Sequence, residues 1–437
     1  MLKLKDLKVN YTSKILENKI RLDVYERENA PIEIRFNILG GDVFSNNLNK
    51  KGLAHFVEHI LCAGTQEYPT KDKLALYLDS FGGYFGGETW SDRLVLKMGC
   101  PSGDDVETLI QVLSSCLQSP VLNEKVMESE RGSIISEFNQ KYSKYQQKVY
   151  KIFYDLLFFG TEYRYSGIGS LESINDITSI DIQNWLKDNL IGGRIGICVT
   201  GDISSQRILD LCEKFLNFIP SGAQRKVNVP VAKENLLIEN FNQQKHTSFL
   251  SVNENNSLVI LGFRVGSLFS KNYAIHLLLN QIFGAQGRRS KLLTTKLRYE
   301  KGLSYSPLSY FMNFIDTGYF CIELNCKSDG INNVLEVINK IIREDFEKEL
   351  TKERFELEKN RFNKTIASTY EKNSEFLEFG NYVTLTESNI NFDKFVEEIN
   401  NIRYEDFLEE GRNFLRNRNW YISYSSDKEI SLIEIQK

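Results

Sequence analysis

Two stretches of this chain repeat one order of short apolar strands and amphipathic helices, and a polar segment divides them. In the first stretch "IEIRFNILGG" alternates Ile32, Ile34, Phe36 and Ile38 with less apolar residues, the period of a half-buried strand. "DKLALYLDSFGG" reads as a helix stopped by glycines, "SDRLVLKMGC" as a strand and "GDDVETLIQVLSSCLQSP" as an amphipathic helix ended by Pro120. "NEKVMESERGSIISEFNQKYSKYQQKVYKIFYDLLF" reads as one long helical region with Gly132 as its single glycine, and "IGICVTG" as a short buried strand before the helix "SSQRILDLCEKFLNFI". The segment "PSGAQRKVNVPVAKENL" then has the composition of a linker. The order resumes with the strand "NSLVILGFRVG", the helix "KNYAIHLLLNQIFG", the strand "TGYFCIELNC" and the helix "INNVLEVINKIIREDFEK". These boundaries predict an N-terminal domain over 1–219, a linker over 220–236 and a C-terminal domain over 237–437. Similar lengths and similar order are what an ancient duplication leaves, although no sequence repeat is proven.

Composition bounds the function. With 437 residues and 41% apolar content the chain can bury a substantial core in two or three domains. The net charge is −4 and no basic stripe stands out, so no nucleic-acid partner is expected. No run of about 18 apolar residues occurs, so no membrane span is expected, and the N-terminal residues carry no apolar segment of signal-peptide length. The seven cysteines are scattered, and the close pair Cys321 and Cys326 has no second pair to complete a zinc knuckle. Reduced thiols in a cytoplasmic protein are the expectation.

The chain has four histidines, and two of them fall in "GLAHFVEHILCAGT". On a helix His55 and His59 project about 40° apart, from one face, with Glu58 on the adjoining face. Two neutral imidazoles at this spacing can bind one zinc, and a free carboxylate beside a metal-bound water can take its proton. Chance alone places His-x-x-acid-His in roughly one chain in two hundred of this composition. The order is the inverted form of the commoner His-Glu-x-x-His helix. A catalytic zinc takes three protein ligands and keeps a position open. "ESERGSIISEF" offers the third: Glu130 and Glu137, seven apart, share a helix face. One can ligate, while the other sits behind a histidine and orients it. Taken alone, the pair reads as an acidic solvated face, which helices commonly carry.

Together these residues resemble the pitrilysin-type metallopeptidases, the inverzincin family that includes insulin-degrading enzyme and the mitochondrial processing peptidase. "HFVEH" matches the family signature, Glu137 its distant third zinc ligand and Glu130 its supporting glutamate. "YRYSGIGSLESINDITSIDIQNWLKDN", "GRIGICVTGDI", "GRRSKLLTTKLRYEKGLSYSPLSYF" and "TKERFELEKNRF" extend the resemblance over about Ile20 to Ser425. It implies an α+β fold of two similar α/β-sandwich domains, each a mixed, mostly antiparallel sheet covered by helices, forming half of a clamshell. It implies Zn2+ on His55, His59 and Glu137, with Glu58 as general base and Glu130 orienting a ligand histidine. Arg298 and Tyr305 match the family's Arg/Tyr pair, which stabilises an oxyanion and holds substrate carbonyls from the opposite half of the clamshell. A two-domain chain needs a second chain to supply that pair, so a homodimer is expected, or a heterodimer with a sister subunit.

The expected activity is that of a zinc endopeptidase acting on short or unfolded peptides in a dimeric chamber. Its rivals are a maturation peptidase that trims the leader of a gene-encoded peptide such as a bacteriocin or pheromone, a non-catalytic core subunit, and a zinc-dependent binding module. One stretch departs from the family at two positions: in "FGGYFGGETWSD" Gly86 and Gly87 replace an Asn-Ala pair on the edge strand to which a substrate adds, while Thr89 and Asp92 match. "GAQGRR" lacks the ending of a phosphate loop and reads as a turn. His246 and His276 have no acidic or cysteine partner at ligand spacing, and "KELTKERFELEKNRF" reads as a solvated helix face with i,i+4 pairs.

Overall fold

The computed structural model describes residues 8–44, 50–165, 167–223, 246–268, 270–285, 287, 289–369, 373–386, 391–416, 418–433 and 435. Most of the expected linker, 224–236, lies outside the described residues, as do two residues of "GAQGRR". Six strands build the first sheet: β1 (Val9–Ile15), β2 (Arg21–Arg27), β3 (Ile32–Ile38), β4 (Tyr84–Thr89), β5 (Leu94–Cys100) and β6 (Ile195–Gly201), in the order β1-β2-β6-β3-β5-β4. Five build the second: β7 (Thr247–Ser251), β8 (Asn256–Val265), β9 (Leu308–Asn313), β10 (Gly318–Lys327) and β11 (Tyr421–Ser426), in the order β7-β11-β8-β10-β9.

Without β1 the two sheets have one topology. In chain order the strands lie first, fifth, second, fourth, third in both. In both, the first and fifth run parallel (β2 with β6, β7 with β11) and every other neighbouring pair runs antiparallel. The fold is therefore α+β, with two similar mixed sheets each covered by helices.

Alternation decides which way each strand faces. Ile32, Ile34, Phe36 and Ile38 of β3 join Leu94, Leu96 and Met98 of β5 in a core closed by α1 (Leu53–Cys62) and α3 (Val106–Gln118). The second sheet has a matching core of Val259, Leu261, Phe320 and Ile322 under the helices Tyr273–Phe283, Ile331–Lys340 and Tyr404–Phe414.

The boundary at 219 separates the sheets but not the helices that cover them. The region predicted as one helix is two, α4 (Glu124–Ser143) and α5 (Tyr145–Leu157), broken at Lys144, whose ψ of 121° is extended, and not at Gly132. The break releases α5 to lay Val149, Phe153 and Leu157 on Leu258, Ile260 and Tyr319 of the second sheet. In return Phe376 and Leu377 of helix Asn373–Val383 cover Tyr25 and Cys198 on the first. Each sheet is thus closed on one face by a helix from the other half.

The charge run is not all solvated. Glu358 is buried and meets Lys291 at 3.2 Å, Arg354 at 3.1 Å and Arg361 at 3.3 Å. Its i,i+4 partner Arg354 is as expected, whereas Lys291 lies far off in sequence.

Candidate metal centre

α1 carries the histidine motif and is started from outside itself. The carboxylate of Asp42 accepts the backbone N–H of Gly52 and that of Ala54 at 3.3 Å, a negative charge at the helix N-terminus. Burial pushes the Asp42 carboxyl up to about 6 despite these bonds. Gly52 has φ +91°, and a Cβ there would stand 2.7 Å from the carbonyl oxygen of Ile168, so the turn into α1 requires glycine. Lys51 anchors the same turn to the carbonyl of Asp42 at 2.8 Å and to Glu162 at 2.5 Å.

The structure brings His55, His59 and Glu137 together. One donor atom from each lies within 4.8 Å of the others. Nε2 of His55 and Nε2 of His59 are each 3.5 Å from an oxygen of Glu137, which reaches across from α4. Glu130, seven residues or about two turns earlier on α4, lies 3.0 Å from Nδ1 of His59, leaving Nε2 toward Glu137. Lys71 of α2 (Lys71–Asp79) meets Glu130 at 2.6 Å. Burial alone would raise the pKa of Glu130, but the hydrogen bonds from His59 and Lys71 outweigh it and hold the carboxyl below the usual range. Burial, then the neighbouring His59, pushes His55 down to about 4, so its imidazole is neutral at neutral pH, the form that ligates metal. Nδ1 of His55 is buried with no hydrogen-bond partner among the described residues. Two imidazoles and a carboxylate with an open side fit zinc.

Glu58 points to the edge strand. The hydroxyl of Thr89 donates to its Oε2 at 2.5 Å, and burial pushes its carboxyl upward despite that bond. Gly87 lies against it: a Cβ there would come within 2.3 Å of Cγ of Glu58, whereas one at Gly86 would meet nothing within 4 Å. β4, which holds both glycines and Thr89, is the last strand of its sheet.

Arg298 and Tyr305 stand apart from this cluster. The guanidinium of Arg298 lies 4.1 Å from the centre of the Tyr305 ring, and Tyr305 is 75% exposed. Neither lines the cavity beside the metal cluster. His276 does have an acidic partner, Glu410 at 2.7 Å, but 134 residues separate them, so spacing could not disclose it. Sequence reasoning also missed Asp42 and Lys71, which carry no motif and meet the site only through the fold.

Two family models match the chain: "Insulinase (Peptidase family M16)" over residues 35–164 and "Peptidase M16 inactive domain" over 176–362. Mitochondrial-processing peptidase subunit beta of Dictyostelium discoideum is 27% identical over 224 residues, 51% of this chain and 47% of that protein. An "uncharacterized zinc protease" of Rickettsia bellii is 22% identical over 375 residues, 83% of this chain and 85% of that one. The match spans about half the length of the processing-peptidase subunits. A protease from Helicobacter pylori has the same fold, with a TM-score of 0.81 at 17% identity, covering 96% of this chain and 100% of that one. The M16 inactive-domain protein of Pseudomonas fluorescens gives 0.79 at 17% identity, covering 98% and 99%. The fold is that of a two-domain clamshell half. The chain belongs to the M16 peptidase family.

Proposed function

We propose that this chain is a zinc-dependent endopeptidase that hydrolyses short or unfolded peptides. The observation that carries the reading is the convergence of His55, His59 and Glu137 on one point, with Glu58 beside them and Glu130 behind His59. Zinc bound there supplies Lewis acidity, which polarises the scissile carbonyl and brings the pKa of a bound water toward ~7. Glu58 takes the proton of the attacking water, and that oxygen bonds to the carbonyl carbon. As the C–N bond breaks, Glu58 passes the proton to the leaving amine. The open edge of β4 holds the peptide as an added strand, with Thr89 fixing Glu58 at its side.

Arg298 and Tyr305 complete the site from a second chain. The exposure of Tyr305, its stacking with the half-buried Arg298 and the absence of both from the cavity lining support a homodimer in which each chain lends the pair to the other's metal. The family label of an inactive domain falls on the half that holds no metal cluster among the described residues, in keeping with such a division of labour. All seven cysteines are unpaired, which supports a reducing, cytoplasmic setting. Among the described residues no helix is long and apolar enough to cross a membrane.

The test is cleavage of an unstructured peptide pool by the purified chain. Cleavage that stops on chelation and returns with zinc is the expected result. Cleavage indifferent to chelation would refute the reading.

A further inference from the structure

Beside the metal cluster lies a cavity of about 560 Å³, within the size range of ligand sites, and its composition is uneven. One side is formed by His55, Glu137 and Thr89. The rest is walled by α4, α5, the loop around Arg164 and the strands β9 and β10 of the other half. Among the described residues three cations line it, Lys141, Lys151 and Arg164, and the one lining carboxylate is Glu137, which faces the histidines. Asp155 lies behind two of these cations, 3.1 Å from Lys151 and 3.6 Å from Arg164. Glu323 lies behind the tyrosine wall, where Tyr150 and Tyr310 donate to it, and does not line the cavity. Among the side chains that line the cavity, three cations stand against the single carboxylate of Glu137, so the lining itself is net positive, with Asp155 and Glu323 set behind it. Lys141 follows Glu137 by four residues on α4, so it projects from the same face one turn further from the metal point.

We propose that this cavity is a specificity pocket for a carboxylate-bearing residue of the bound peptide, with Lys141 as the selecting group. The proposal rests on the peptidase reading above. The chemistry that fits is a carboxylate on an apolar stem: the aromatic walls accept the stem, and the cations meet its end. An acidic side chain and a C-terminal carboxylate both have this chemistry. A neutral residue offers the cations no opposite charge, and a basic one is repelled. Lys141 acts here as a specificity residue and takes no proton in the reaction.

The experiment uses the zinc-loaded full chain with Glu58→Gln, which binds peptide without cutting it. Matched peptides carry Glu, Gln or Lys at each internal position in turn with an amidated C-terminus. A further pair compares the free C-terminal acid with its amide. At one position Glu is expected to bind roughly tenfold more tightly than Gln, the scale of one charge-assisted contact, and Lys more weakly than either. If the C-terminal carboxylate is the source, the free acid is favoured over the amide instead. Adding Lys141→Met is expected to bring the acid-to-neutral ratio to about one, and Lys141→Glu to favour the Lys peptide. Lys151→Met offers a second reading on the same wall, with zinc content checking that each variant is folded. Equal binding of Glu and Gln at every position together with equal binding of acid and amide overturns the proposal, as does a preference that survives both Lys141→Met and Lys151→Met. The peptidase reading stands or falls separately, on whether the wild-type chain cuts these peptides. Selective binding without cutting removes the peptidase and keeps the pocket. Cutting without selectivity does the reverse.

Discussion

Glu58 is held by a hydroxyl on one side and by a missing side chain on the other. Thr89 fixes its carboxylate, and Gly87 leaves the space its Cγ and carboxyl occupy. A methyl group at 87 must displace Glu58, while one at 86 enters open space. Gly87→Ala is therefore expected to lower kcat by about tenfold or more with zinc content unchanged, because small misplacements of a catalytic group are costly. Gly86→Ala is expected to stay near wild type. Steady-state kinetics with metal analysis checks both, and equal effects at the two positions would show that Glu58 is not fitted to this gap. At this scale the sequence discloses what spacing can encode. His55 and His59 share a helix face by their separation, and so do Glu130 and Glu137. What it hides is every contact made across the fold: Asp42 starting α1, Lys71 holding Glu130, and the space at Gly87, where the departure from the family pattern was visible but its meaning was not.

The element that couples the metal side to the second half is the turn between β4 and β5. Asp92 and Arg93 are buried there, paired at 2.7 Å, and Asp92 also accepts the N–H of Ile315 at 2.6 Å from the turn between β9 and β10. The Arg93 guanidinium lies over the ring of Tyr382, 4.1 Å from its centre, and Tyr382 donates to the carbonyl of Asn313 at 2.8 Å. One turn of each sheet is thus tied to the other and to the exchanged helix. Asp92→Ala would strand a buried guanidinium, so a loss of about 3–5 kcal/mol is expected. Chemical denaturation measures it, and a loss below about 1 kcal/mol would mean that the turn carries no such load. Most elements were legible because β3, β5, β6, β8 and β10 bury apolar runs and their helices carry apolar faces. The break at Lys144 was not, since no glycine or proline marks it. It follows from the packing of Phe153 and its neighbours on the second sheet, a tertiary demand that overrides local propensity.

As a whole the molecule holds two sheets of one topology, each of which takes a cover helix from the other half. The repeated strand order was suggested by the pattern in the sequence, but the identical pairing of the two sheets shows only in the topology. The exchange of α5 and helix Asn373–Val383 was not readable, because an apolar helix face does not name the sheet it covers. At this scale the proposed sharing of Arg298 and Tyr305 between two chains can be tested by mixing. Chains with Glu58→Gln and chains with Tyr305→Phe are each expected to be impaired alone, and mixing them is expected to restore part of the activity by forming one intact site per mixed dimer. Mixed dimers without recovery would exclude a site shared between chains.

The most direct measurement takes zinc stoichiometry and peptide cleavage from the same preparations of the wild-type chain and of Glu58→Gln. The expected result is one zinc per chain in both, with cleavage reduced by about 100-fold or more only in Glu58→Gln, because the carboxylate moves the proton and does not hold the metal. Wild-type chain that binds no zinc at His55, His59 and Glu137, or a Glu58→Gln chain that cuts as fast as wild type, would contradict the assignment.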